Sequence, residues 1–162
     1  MRRRSQGQSL VEMALLLPLL LLLFFGIIDL GYYIYGYATI YQSARNGSEV
    51  AAQLPPFSTR IGGAIPDTTD HCVNTIIEAV KEDTVLFSLD ASNVVISYPS
   101  NQRLLGEPIE VSVNYDIEPL TPLWSFVTFG SDGTMSVSAT SRRSIEALGN
   151  NPAARNFIVC EP

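Results

Sequence analysis

Residues 13–28 read MALLLPLLLLLFFGII, sixteen positions without a charged side chain. The run grows to nineteen residues when it starts at Leu10, with Glu12 as its only charge. Nineteen helical residues rise about 28 Å, close to the roughly 30 Å hydrocarbon thickness of a bilayer. Pro18 removes one backbone hydrogen bond and marks a predicted helix kink, a defect that membrane helices tolerate. We therefore expect one membrane-spanning helix.

Basic residues flank only the N-terminal side of this run. Arg2, Arg3 and Arg4 precede it, and the next basic residue is Arg45. Because an excess of Lys and Arg marks the cytoplasmic flank of a membrane helix, we expect the N-terminus in the cytoplasm and the residues after Asp29 outside. The alternative is a cleaved secretory signal peptide, which needs a small-residue cleavage site after the apolar core. No clear A-x-A pattern follows here, and an anchor is the favoured interpretation.

The composition of the chain excludes several functional classes. Its 162 residues allow one modest domain besides the long helix, and a net charge of −6 disfavours nucleic acid as a partner. The one histidine, His71, lies beside Cys72 but has no nearby His or Cys at metal-ligand spacing. No nucleophile elbow, phosphate-binding glycine loop or zinc-protease motif occurs. We therefore predict no enzyme activity, no metal and no cofactor.

The residues before the apolar run resemble a processing signal. A short basic leader ends at Gly7, Gln8 follows, and Glu12 would be the fifth residue of a chain that begins at Gln8. Type IV prepilins have this arrangement and are cut after the glycine by a membrane prepilin peptidase. Residues 7–31, GQSLVEMALLLPLLLLLFFGIIDLG, and the continuation through residues 44–52 resemble the start of TadE-like proteins of tight-adherence (Flp) pilus assembly.

The resemblance is specific over roughly the first 52 residues and loose beyond them. It implies a minor pseudopilin, anchored by its N-terminal helix, that helps to assemble or prime a pilus without catalytic activity. Cleavage would create an amine on Gln8, about 6 Å of helix rise from Glu12. The resemblance implies that this amine, from the same or a neighbouring chain, neutralises the Glu12 carboxylate. The residue after Gly7 is Gln8 rather than the Phe common in major type IVa pilins, which points to a different branch.

A helical pattern continues beyond the apolar run. Apolar or small residues recur at steps of three and four, which predicts one stripe that packs under the chain's own domain or against a second subunit: Leu30, Ile34, Tyr37, Tyr41, Ala44, Ser48 and Ala51. Five tyrosines also fit an aromatic belt at the outer bilayer interface: Tyr32, Tyr33, Tyr35, Tyr37 and Tyr41. Pro55 and Pro56 predict the end of the helix.

The rest of the chain predicts a small α+β domain. Asp70 is a predicted N-cap for an amphipathic helix with Val73, Ile76, Ile77 and Val80 on its apolar face. Residues 93–98 predict a first strand, and strict alternation over residues 109–118 predicts a second with one buried face and one acidic, solubilising face that includes Glu110 and Asp116. Residues 135–140 predict a third. The expected fold is an antiparallel sheet with helices on one face.

An apolar segment separates the last two predicted strands. It contains Leu120, Leu123, Trp124, Phe126, Val127 and Phe129. The favoured interpretation is a helical turn or loop that plugs the edge of the core. The functional alternative is an exposed docking patch for another subunit, centred on Trp124, Phe126 and Phe129, since contiguous exposed apolar patches mark interfaces.

The two cysteines, Cys72 and Cys160, both lie on the expected outer side. Oxidising compartments favour disulfides, so one intramolecular bond is the favoured interpretation, with unpaired thiols or intermolecular pairing as alternatives. Such a bond would connect the C-terminal tail to the start of the predicted amphipathic helix.

These patterns predict three parts: a leader, residues 1–7; a transmembrane and stalk helix, residues 8–54; and an extracytoplasmic α+β domain, residues 57–162. The function implied by the resemblance is that of a pilin-like subunit in tight-adherence pilus assembly, processed after Gly7. Its expected partners are prepilin peptidase, other pilin or pseudopilin subunits, the inner-membrane assembly platform and membrane lipid. The alternatives are a type II secretion pseudopilin and an anchored binding domain that does not polymerise.

Overall fold

The computed structural model describes residues 5–63, 65–82, 84, 86–122, 133–148 and 160. Within these residues, helix α1 spans Ser5–Gln53, α2 spans Ser58–Ile61 and α3 spans His71–Lys81. A 3₁₀ turn at Ala91–Asn93 leads into strand β1, Val94–Ser97, followed by β2, Pro108–Ile117, and β3, Met135–Ser144. A long apolar helix followed by a small sheet with short helices confirms the α+β fold class.

The three strands form one sheet in the order β1-β2-β3. Strands β1 and β2 are antiparallel, with Val94 opposite Val113 and Ser97 opposite Glu110. Side-chain contacts show that β2 and β3 are also antiparallel, because residue numbers rise on one strand as they fall on the other. These contacts join Glu110 to Arg142, Ser112 to Thr140, and Asp116 to Ser136. The strand predicted from the alternation of residues 109–118 is β2, the central strand of the sheet.

The chain divides into two compact units. One contains α1 up to Tyr35 together with residues 117–135, and the other contains residues 36–116 and 136–162. The core of the second unit lies where α1, α3 and the inner face of the sheet meet. It includes buried side chains from all three layers, among them Ile40, Ala44, Ala51, Val73, Ile76, Ile77, Val80, Val94, Ile96, Val111, Val113 and Ala139.

The buried face of α1 in its second half differs from the predicted stripe. Ala44, Ser48 and Ala51 are buried as expected, but Leu30, Ile34, Tyr37 and Tyr41 are between 51% and 61% exposed. The buried positions in that part lie about one residue earlier: Asp29, Tyr33, Gly36 and Ile40. In the second unit, the face that packs includes several small residues, Gly36, Ser43, Ala44, Gly47 and Ser48, which allow other side chains to approach the helix closely.

Gly47 is the position where this close approach is tightest. A Cβ atom added there would lie 2.5 Å from Val80 Cγ2 and 3.2 Å from Val111 Cγ1, so both α3 and β2 press against the helix backbone. The neighbouring Ser48 hydroxyl contacts that of Ser141 on β3 at 2.8 Å.

Gly47→Ala is therefore expected to destabilise the second unit. Overpacking costs about 1–3 kcal/mol, and removing a helix-interior glycine returns only about 0.5–1 kcal/mol. Gly31→Ala is the matched control, because a Cβ atom added at Gly31 would meet no atom within 4 Å. Urea denaturation of the detergent-solubilised chain, followed by circular dichroism, measures both variants. A Gly47→Ala midpoint at or above that of wild type would contradict the packing.

The segment after α1 is fixed by side chains from the rest of the second unit. Arg103 donates hydrogen bonds to the carbonyl oxygens of Pro55 and Leu148, both at 2.8 Å, and its guanidinium lies 4.1 Å from the centre of the Phe57 ring. The Tyr98 hydroxyl donates to the Pro56 carbonyl at 2.5 Å, and burial raises the pKa of Tyr98 to about 12. Both proline residues are buried, so the helix end forms part of the folded unit.

Helix α3 begins as the sequence predicted. The Asp70 carboxylate accepts a hydrogen bond from the Val73 backbone N–H at 2.8 Å, which satisfies one of the free donors of the first helical turn. Val73, Ile76, Ile77 and Val80 are all buried against the core.

Candidate functional site

The predicted processing site and Glu12 lie together at the start of α1. The helix already begins at Ser5, so the backbone of Gly7 and Gln8 is helical and continuous with the apolar run. The Gln8 amide Nε2 donates to Glu12 Oε1 at 3.2 Å across one helical turn. Residue 8 and the carboxylate therefore share one face of the helix. A positive charge created at residue 8 would lie one turn from an acceptor that the helix already directs towards it.

The apolar part of α1 presents its side chains outward on all sides. Within the described chain, exposures of 40% to 72% are found for Leu10, Val11, Met13, Leu15, Leu16, Leu17, Leu19, Leu20, Leu21, Leu22, Leu23, Phe24 and Ile27. The helix is long and apolar enough to cross a membrane, and its most apolar window is not buried inside the chain. It continues through Pro18 as one element. A helix that is apolar all round and uncovered needs lipid or other helices as its surroundings.

Two polar side chains just beyond the apolar run make contacts that the sequence did not predict. The Asp29 carboxylate is 3% exposed and accepts two hydrogen bonds from Thr121, from the backbone N–H at 3.0 Å and from Oγ1 at 2.5 Å. One turn later, the Tyr33 hydroxyl donates to the Gly133 carbonyl at 3.1 Å. Tyr33 is 8% exposed, so this tyrosine packs on its own chain rather than facing the bilayer interface.

The sequence contains one indication of these contacts: the four-residue spacing of Asp29 and Tyr33 places both on one face of the helix. Their partners are 92 and 100 residues away in the sequence, and no local pattern identifies them. Asp29 was used only as the end of the apolar run. Its hydrogen bonds show that the carboxylate at the end of the run also contacts the backbone and side chain of Thr121.

Cys72 and Cys160 form a disulfide in the second unit, with Cα atoms 5.4 Å apart. Cys72 lies in the first turn of α3, and both side chains are buried. The bond connects the C-terminal tail to α3, in agreement with the favoured interpretation of the sequence. The predicted docking patch, Trp124, Phe126 and Phe129, lies outside the described residues.

The solvent face of the sheet pairs its charged groups with other side chains. Glu110 forms an ion pair with Arg142, and the Ser136 hydroxyl donates to Asp116 at 2.5 Å. Among the described residues, no group of three or more His, Cys, Asp or Glu side chains is placed to hold a metal ion.

The comparisons with known proteins concern the same helix. The family model described as "TadE-like protein" matches residues 7–49, about a quarter of the chain. Searches of curated proteins and of solved structures find no significant match. The match begins at Gly7, includes Glu12 and Asp29, and ends just before the last turn of α1.

The TadE-like family is a pilus-associated structural family and is not known for enzymatic members. It suggests a membrane-anchored protein related to the Tad pilus, consistent with a single N-terminal helix that could span a membrane. Residues 7–49 of this chain are therefore similar to the TadE-like family, in agreement with the resemblance predicted from the sequence.

Proposed function

We propose that this chain is a minor pseudopilin in the assembly of a tight-adherence (Flp) type IV pilus. The observation that supports the proposal most is the TadE-like match over a helix whose apolar surface is not covered by the described residues of its own chain. Such a helix is suited to lie in lipid before assembly and against other helices afterwards. The function is structural and has no catalytic step.

In this proposal, prepilin peptidase cuts between Gly7 and Gln8. The cut removes the basic leader, Arg2 to Arg4 included, and leaves an α-amine on Gln8. The Gln8–Glu12 contact supports the chemistry, because residue 8 already lies within one turn of the carboxylate. A carboxylate within an apolar helix is expensive unless a partner neutralises it, and the new amine is such a partner.

Assembly would then proceed by lateral packing of N-terminal helices. The Glu12 carboxylate would meet the amine of its own chain or of a neighbouring pilin or pseudopilin, and the neighbour's amine would favour one axial register. The exposed leucines of α1 offer apolar surface to several helices at once. The partners in this scheme are other pilin or pseudopilin subunits and the inner-membrane assembly platform.

The orientation in this proposal places the N-terminus in the cytoplasm and the sheet domain outside. Arg2, Arg3 and Arg4 support it through the positive-inside tendency. The Cys72–Cys160 disulfide supports it independently, because disulfides persist on the oxidising side of a membrane.

Two other functions remain as alternatives to be tested. A type II secretion pseudopilin would use the same processing and the same charge pair. An anchored binding domain that does not polymerise would use α1 only to hold residues 57–162 at the membrane. The simple anchor differs from the proposal in what the helix must do, whereas the type II pseudopilin differs in the system that it serves.

An anchor exchange in cells that make this chain separates the three functions. Cells that lack the chain are complemented either with wild type or with a chimera in which an unrelated transmembrane helix replaces residues 1–28. The proposal predicts that deletion removes surface filaments, that wild type restores them and that the chimera does not. Filaments restored by the chimera would favour the simple anchor, and intact filaments with lost protein secretion would favour the type II system.

A further inference from the structure

The segment between β2 and β3 is attached at both ends to one turn of α1. Thr121, four residues after β2 ends, donates two hydrogen bonds to Asp29, and Gly133, two residues before β3 begins, accepts one from Tyr33. All four residues belong to the same compact unit as the apolar part of the helix. The start and the end of the segment therefore lie beside residues 29–33.

That turn marks the outer end of the apolar run. Asp29 is the first charged residue after the sixteen uncharged positions of residues 13–28. If the run fills the hydrocarbon core, residues 29–33 lie in the interfacial layer, which is the region that tyrosine and tryptophan prefer. The Asp29 carboxylate can occupy this layer because Thr121 supplies two hydrogen bonds to it.

The described ends of the segment expose apolar side chains at this level. Leu120 is 63% exposed, and its Cα is one peptide unit, about 3.8 Å, from that of Thr121. At the other end, Met135 is 48% exposed and lies two residues from Gly133. The other apolar residues of this predicted segment, Leu123 to Phe129, lie outside the described residues.

We propose that the described ends of this segment form a second membrane contact, with Leu120 and Met135 resting on the interfacial layer of the outer leaflet. Asp29 and Tyr33 act as positioning residues that hold these two ends at the level where α1 leaves the bilayer. We choose lipid as the partner because the exposed apolar surface of α1 continues from Ile27 to Leu30, in the turn that holds the two ends. The bilayer is the apolar phase at that level. The proposal rests on the anchored part of the proposed function, and it does not depend on processing or on filament assembly.

Spin labels on single introduced cysteines test the proposal in the full-length chain. The native cysteines are paired, so Leu120→Cys adds the only free thiol. The protein is reconstituted in phosphatidylethanolamine–phosphatidylglycerol vesicles, and collisions of the label with oxygen, which enters lipid, are compared with those of a water-soluble nickel chelate. Leu19→Cys, in the apolar run, is the lipid control, and Asn114→Cys, exposed on the polar face of β2, is the water control.

The expected result is a Leu120→Cys label that is several-fold less accessible to the nickel chelate than the Asn114→Cys label, and shallower in lipid than the Leu19→Cys label. Equal nickel accessibility at positions 120 and 114, with position 19 in lipid, would overturn this proposal and leave the anchor intact. Shielding of position 120 from both reagents would overturn it in favour of a protein partner. A water-exposed label at position 19 would overturn the anchor as well.

Discussion

Glu12→Ala is expected to leave cleavage after Gly7 intact and to abolish incorporation of the chain into filaments or assembly complexes. The substitution removes the only charge between Arg4 and Asp29, so the helix should enter the membrane at least as readily as before. What it removes is the acceptor for the amine created on Gln8. Without that pair, an unneutralised amine would have to be placed among apolar helices, which carries a cost of several kcal/mol.

Gln8→Ala is the matched control for this prediction. It deletes the side-chain amide that donates to Glu12 Oε1 at 3.2 Å but keeps the α-amine that processing would create. We expect Gln8→Ala to be incorporated nearly as well as wild type, since the amine rather than the amide neutralises the carboxylate. Incorporation is measured by co-purification with partner subunits and by immunoblots of sheared filaments. Normal incorporation of Glu12→Ala, or equal defects in the two variants, would contradict the charge pair.

Loss of the Cys72–Cys160 disulfide has the second large expected effect. The two cysteines are separated by 88 positions, and the bond closes most of the sheet domain into one loop. In the chain-entropy account, closing a loop of this length stabilises the folded state by about 4–5 kcal/mol, less any strain. Since small domains are stable by only about 5–15 kcal/mol, the double variant Cys72→Ala/Cys160→Ala should be close to unfolding at 37 °C.

Chemical denaturation with and without reductant isolates the contribution of the bond. Wild type treated with reductant should approach the stability of the double variant, and reductant should have no effect on the variant itself. The N-terminal helix should remain membrane-bound in both, because its apolar surface is independent of the sheet domain's core. A loss of free energy of unfolding below about 1 kcal/mol would show that the bond does not constrain the unfolded chain as this account requires.

Local sequence patterns predicted much of this fold because they reflect which side chains are buried and where the backbone can form hydrogen bonds. The alternation from Ile109 to Ile117 became β2, since a strand with one buried face has a period of two. Asp70 caps α3 because a short acidic side chain before an amphipathic run satisfies a free backbone N–H. Pro55 and Pro56 follow the end of α1 at Gln53 for an equally local reason, the lack of a backbone donor.

The packing of α1 depends on contacts between residues that are far apart in the sequence. Between Asp29 and Tyr41, α1 has two candidate packing faces that are offset by about one residue. The sequence pattern favoured the more apolar of the two faces. The face that packs is instead determined by its contacts with distant residues. These are Thr121 and Gly133 in the first unit, and Val80 and Val111 in the second. A small residue such as Gly47 does not stand out in a hydrophobicity pattern, although it determines how closely the helix and its neighbours approach.

The proposed processing signal could be predicted from the sequence because it depends on spacing along one helix. Gly7, Gln8 and Glu12 are close in the chain, and the family match begins at the first of them. Their roles remain predictions, since the Gln8–Glu12 contact supports the geometry of a charge pair without creating the amine that the pair requires.

The intact mass of the native protein is the measurement that tests the central claim most directly. The protein is extracted with detergent from cells that hold their own prepilin peptidase, and cells without the peptidase provide the control. The account predicts a chain that begins at Gln8 in the first case and retains residues 1–7 in the second. A chain that begins at Met1 or Arg2 in both would identify a plain membrane anchor and contradict the proposal, and a chain that begins beyond Gly26 would identify a signal peptide and a released domain.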